Sequence, residues 1–122
     1  MAFSQIKQFP NLYFSVEALD FLRNTKCDSL NNDMLLALSY LDEFGANPNY
    51  LNKRLCQTNR TGVKELKGKG PSKTEWRFLF KKISKGVTPA KYGLMIGFIK
   101  KDKKLKKKDL DTAERIAKRE GY

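Results

Sequence analysis

Thr74-Glu75-Trp76-Arg77-Phe78-Leu79-Phe80-Lys81-Lys82-Ile83 alternates in character along its length: Trp76, Phe78 and Phe80 fall on one face, Arg77 and Leu79 on the other. Period-two alternation is the signature of a β-strand. The three rings supply the face that helices must cover, so they read as core ahead of a base-stacking platform. The stretch Lys91 to Lys100 is a second strand, with Tyr92, Leu94, Ile96 and Phe98 on one side and Met95 and Ile99 on the other. Its nearly continuous apolar run suits a central strand covered on both faces. Ser84 to Ala90, with Gly86 and Pro89, joins the two as a hairpin loop. Upstream, Val63 to Lys67 is a shorter strand, set off by Gly68-Lys69-Gly70-Pro71-Ser72.

Helical spacing governs the rest. Asn11-Leu12-Tyr13-Phe14 reads as a strand leading to Ser15, an N-cap, after which Val16, Leu19, Phe21 and Leu22 make one helical face. A second helix begins near Leu30-Asn31-Asn32, turns Met34, Leu35, Leu38, Leu41 and Phe44 inward, and stops at Gly45. Asn47-Pro48-Asn49 is a turn, and Tyr50 to Arg60 reads as an irregular polar connector anchored by Leu51 and Leu55. From about Asp109, Leu110, Ala113, Ile116 and Ala117 return to helical spacing, with Asp111 and Glu114 at capping-box separation. The order strand, helix, helix, three strands, helix predicts one α+β domain over residues 1–122: a small antiparallel sheet, an N-terminal helical hairpin and a C-terminal helix, all helices on one face.

The charge is lopsided. The 122 residues carry a net +12, but residues 1–50 hold three bases against six acids, and residues 51–122 hold twenty-two bases against seven acids. Seven of the nine residues at 100–108 are lysine. Such a segment seeks polyanions, nucleic acid or the ribosome before an anionic membrane. The absence of His removes the commonest metal ligand and neutral-pH base. Cys27 and Cys56 have neither metal-ligand spacing nor a paired framework, and the N-terminus has no secretion signal, so the expected compartment is the cytoplasm. No metal or other cofactor is expected. Asp109, Asp111 and Glu114 are better explained by capping a helix than by binding a cation.

Four stretches, in order, resemble the RelE/HigB-like toxins of type II toxin–antitoxin systems, the phage-derived branch of the RelE/ParE superfamily. They are Leu35-Leu36-Ala37-Leu38-Ser39-Tyr40-Leu41-Asp42-Glu43-Phe44-Gly45, Val63-Lys64-Glu65-Leu66-Lys67, Trp76-Arg77-Phe78-Leu79-Phe80, and Gly97-Phe98-Ile99-Lys100-Lys101 followed by Lys104 and Lys108-Asp109-Leu110-Asp111. Lys67 stands where the family's motif ends in Arg. The resemblance implies a RelE-like fold and an mRNA endoribonuclease that works on the ribosome without metal, by attack of the ribose 2′-hydroxyl on the adjacent phosphate. It also implies a small helix-turn-helix antitoxin as partner.

That chemistry needs a base, an acid and positive charge on the developing phosphorane. With no His, crowded lysines are the proton carriers, and Arg clamps phosphate with parallel hydrogen bonds. Lys67 and Arg77 are the expected catalytic pair. The competing reading of Arg77 is a cross-strand ion pair with Glu65 or Glu75, and of Lys67 a solvated strand end. Lys64, Lys69, Lys100, Lys101, Lys104, Lys107 and Lys108 are expected to meet RNA phosphates, although alternation places Lys64 opposite Lys67. Two other functions stay open: a gyrase-poisoning toxin of the same superfamily, and a nucleic-acid-binding module without catalysis.

Overall fold

The structure is a computed structural model that describes residues 3–84, 89–100 and 106–122. The chain runs through β1 (Ser4–Ile6), β2 (Phe9–Phe14), α1 (Val16–Asn24), α2 (Asp28–Phe44), the single-turn α3 (Pro48–Leu51), a 3-10 turn (Asn52–Arg54) and β3 (Leu55–Gln57). It continues through β4 (Val63–Lys69), a second 3-10 turn (Pro71–Lys73), β5 (Glu75–Lys82), β6 (Tyr92–Lys100) and α4 (Lys107–Arg119). Among the described residues the strands form one sheet in the order β1-β2-β6-β5-β4-β3. The expected mixture of helices and strands is present, with β6 inside the sheet.

The expected antiparallel sheet is corrected at one pair: β2 lies parallel to β6, with Leu12 opposite Tyr92 and Phe14 opposite Leu94. A strand flanked on one side by its hairpin partner and on the other by a parallel neighbour must be apolar on both faces, which the run in β6 supplies. The connector expected to be irregular contributes β3, whose Leu55 and Gln57 pair with Leu66 and Lys64 of β4. Its polar residues hid it, because an edge strand needs no hydrophobic alternation.

The helices do not share one face. α1 and α2 lie over β2, β4 and β6, where Leu12, Phe14, Leu22, Met34, Leu38, Trp76, Phe78, Phe80 and Leu94 form the larger core. α4 covers the opposite face, packing Leu110, Ala113, Ile116 and Ala117 on Val63, Leu79, Met95 and Ile96. The three rings of β5 are therefore core, with Trp76, Phe78 and Phe80 all fully buried. Gly97 permits the close approach of α1, since a Cβ there would meet Phe21 at 2.4 Å and Phe78 at 2.6 Å.

A bulge explains how β6 serves both cores. Leu79 pairs with Ile96 but Phe80 pairs with Leu94, so Met95 is an extra residue and the alternation shifts by one. Tyr92 and Leu94 join the larger core under α1 and α2, whereas Met95, Ile96 and Phe98 turn to α4. Strict alternation had placed Ile96 and Phe98 with Tyr92. The bulge is fastened by Ser15, whose hydroxyl donates to the Met95 carbonyl while its amide donates to Leu94 at 3.0 Å. The same oxygen accepts from the Ala18 amide at 3.0 Å, making the expected N-cap of α1. Ser15→Ala is expected to cost about 2–3 kcal/mol in urea unfolding, because it removes a cap and strands a buried carbonyl.

α4 is capped differently from expectation. Its N-cap is Lys106, without a side-chain cap, while Asp111 and Glu114 pair with Arg60 in the loop before β4. Arg119, in the last turn of α4, forks onto Glu17 of α1 with two 2.8 Å bonds. Those bonds hold the Glu17 carboxyl at about 2. Among the described residues no helix is long and apolar enough to cross a membrane.

Candidate nucleic-acid interface

Ladder register decides which basic residues meet. Lys67 stands opposite Arg77, and Arg77 opposite Phe98; two rungs further on, Lys69, Glu75 and Lys100 align. Alternation puts all six on the α4 face, at the end of the sheet where β6 enters the lysine-rich segment. In the ladder Lys67, Arg77, Lys69 and Lys100 therefore fall on one face at that end of the sheet. Lys64 is not among them: its partner is Phe80, and it lies on the face covered by α1 and α2. Lys107 and Lys108 are exposed in the first turn of α4. Lys101 and Lys104 lie outside the described residues.

Arg77 is the surprise. It is only 3% exposed, and Glu65, which shares its face two rungs along, is 5% exposed. The Arg77 Nε lies 3.2 Å from Glu65 Oε1, Nη2 lies 3.4 Å from Glu75 Oε2, and Nη1 donates to the Trp76 carbonyl at 3.2 Å. A phosphate clamp needs a guanidinium that faces solvent, and this one is committed to two carboxylates and a carbonyl. The ion-pair reading of Arg77 describes its geometry. Glu65 Oε2 is buried with no hydrogen-bond partner among the described residues, so the pair depends on Arg77 for its compensation.

A second polar cluster, which sequence reasoning missed, builds the rim. Asp33 of α2 accepts from Arg54 at 2.6 and 3.1 Å, from the indole nitrogen of Trp76 at 2.9 Å and from the Lys69 amide at 3.1 Å. Burial pushes the Asp33 carboxyl up, but the Arg54 and Trp76 hydrogen bonds outweigh it and hold the group below the usual carboxylate range. Gly68 must be glycine here, because a Cβ would stand 2.2 Å from Asp33 Oδ2 and 2.5 Å from the Trp76 ring. One signal was available: Asp33 lies three residues after Leu30 and four before Ala37, on the flank of the buried stripe of α2.

These residues bound a cleft of about 390 Å³ lined by Asp33, Lys53, Arg54, Lys67, Gly68, Lys69 and Glu75. A larger hollow of about 460 Å³ lies between α4 and the start of β4, but Asp111 and Glu114 offset its cations. Of the two, the smaller cleft has the larger excess of cations, Lys53, Arg54, Lys67 and Lys69 against Asp33 and Glu75. Comparison with protein-family models, with curated proteins and with solved structures returns no match to this chain.

Proposed function

We propose that this chain is a toxin of the RelE/HigB type, an endoribonuclease that cuts messenger RNA on the ribosome and is neutralised by a small antitoxin. The observation that carries the reading is the pair of same-face rungs, two apart, that bring Lys67, Lys69 and Lys100 to one end of the sheet, where the chain enters its lysine-rich segment. Lys107 and Lys108 add support. Cations in the first turn of α4 oppose the helix dipole, a cost that an incoming phosphate would reverse. Lys67 is the proposed proton carrier at the 2′-hydroxyl or leaving oxygen. Arg77 acts through Glu65 and Glu75 as a positioning residue that fixes the wall beside it.

The test is inducible expression with primer extension across translated transcripts on purified ribosomes. The wild type should stop growth and cut messages within the ribosomal A site, and Lys67→Ala should cut about 10²–10³-fold more slowly with an unchanged urea midpoint. Intact transcripts in the presence of folded wild-type protein would overturn the reading. The engagement of Arg77 by carboxylates favours one alternative, a module that binds RNA without cutting it, whose mark is salt-sensitive binding with no cleavage.

A further inference from the structure

We infer that the cleft at the free end of β4 is a phosphodiester subsite for single-stranded RNA, formed by Lys53, Lys67 and Lys69 and tuned by Glu75. This rests on the RNA-directed reading above and adds to it a place where the backbone is gripped next to the reacting bond, with Lys67 shared between the two.

Charge accounting points first to these three lysines. Arg54 is occupied by Asp33, and Glu75 faces Arg77, whereas no ion pair among the described residues engages Lys53, Lys67 or Lys69. Three lysines without an ion pair among the described residues therefore line one concave space of about 390 Å³. Four cationic residues there face two carboxylates, Asp33 and Glu75, and a phosphate would answer the excess of positive charge.

The walls define what kind of anion fits. β3 ends its pairing at the Leu55–Leu66 rung, so β4 runs on from Lys67 to Lys69 without that neighbour. The Asp33–Arg54 fork closes this open edge, fixing the turn that carries Lys53 against the strand. The site is thus preorganised by groups that are themselves neutralised. No aromatic face lines the space, and the nearby Trp76 ring is fully buried. Recognition would then run through the backbone alone, independent of base identity. A narrow recess on a strand edge admits a single strand. It is too confined for the broad contact of a duplex or a lipid surface, and its lining residues include no apolar side chain for insertion into a membrane.

Glu75 is the one carboxylate in the cleft held loosely, at 3.4 Å from Arg77, and it repels a phosphate from the place where the lysines attract it. Neutralising it should tighten binding.

The measurement is fluorescence anisotropy of a labelled oligouridylate of roughly 12 nucleotides titrated with the full chain between about 50 and 200 mM KCl. Lys53→Ala and Lys69→Ala, both at exposed positions, should each weaken binding about three- to tenfold and flatten the salt slope by about 0.7. Lys7→Ala, in the turn between β1 and β2, should bind as the wild type does, and Glu75→Gln should bind more tightly. Unchanged affinity and slope in both Lys53→Ala and Lys69→Ala, with binding lost in Lys107→Ala/Lys108→Ala, would overturn the subsite and leave the RNA reading standing. Absence of RNA binding by the wild type would overturn both. Phosphatidylglycerol vesicles that bind the wild type as tightly as RNA does, with the same dependence on Lys53, would overturn the assignment to RNA.

Discussion

Arg77→Ala should destabilise the fold by about 3–5 kcal/mol, as read from urea unfolding followed by circular dichroism. The loss comes less from the missing ion pair than from what stays behind. Glu65 is 5% exposed, its Oε2 has no hydrogen-bond partner among the described residues, and its Oε1 lies 3.2 Å from the Arg77 Nε. Without Arg77 the carboxylate must stay charged in a dry site or take up a proton, and both cost free energy. Against a total stability of about 5–15 kcal/mol, that loss leaves much of the chain unfolded at 37 °C. Loss of messenger cleavage in Arg77→Ala would therefore say nothing about catalysis by itself.

The decisive comparison removes both charges. Glu65→Leu/Arg77→Met fills the same space with apolar groups, and replacing a buried ion pair in this way is often neutral or stabilising. The double variant should regain most of the stability lost by Arg77→Ala, giving a strongly non-additive cycle between contacting residues. If it also cuts translated messages at close to the wild-type rate, the guanidinium serves the wall and not the phosphate. If it folds but has lost the cut while retaining RNA binding, Arg77 must leave its carboxylates to meet substrate. A double variant as unstable as Arg77→Ala would mean that the ion pair is not the source of the loss.

The parts of this fold legible in the sequence are those set by short-range periodicity. Trp76, Phe78 and Phe80 declared a buried face, Ser15 a helix start and Gly45 a helix end, and each does that in the structure. What escaped was decided by partners distant in sequence. Ile96 changes faces because Met95 is squeezed out of register opposite Leu79 and Phe80, and a bulge leaves the composition of the strand unchanged. The face chosen by α4 depends on Val63, Leu79 and Ile96 presenting a second apolar surface. That surface was hidden among charged residues of β4 and β5. For the site, alternation put Lys67 and Arg77 on one surface beside the basic C-terminal segment, and the strand register adds Lys69 and Lys100. Alternation was silent on whether Arg77 faced water or Glu65, since both residues lie on the same face and only burial separates the outcomes. Asp33 and Arg54 are 21 residues apart, and nothing local marks either as the other's partner.

That long-range pair yields the second large effect. Asp33→Ala should lower stability by about 2–4 kcal/mol at pH 7, because one carboxylate satisfies the Arg54 fork, the buried Trp76 indole and the Lys69 amide. The figure is kept below that for Arg77 because Asp33 and Arg54 are each about a quarter exposed, so water softens the loss of the ion pair. Asp33→Asn keeps an acceptor for the indole and amide and should recover part of the deficit. The pH dependence separates charge from shape. The folded-state pKa of Asp33 is lowered, so its contribution is fully present above the unfolded value of about 3.9 and is lost as pH falls through the folded value. The stability gap between wild type and Asp33→Ala, measured in urea at successive pH values, should hold steady from pH 7 to about 5. It should then narrow below about 4. A gap that stays constant into strong acid would show that Asp33 works as a neutral hydrogen-bond acceptor, and Asp33→Asn would then match the wild type. A gap that closes would identify the charge on Asp33 as what holds the Lys53–Arg54 turn against β4, and with it the wall of the cleft.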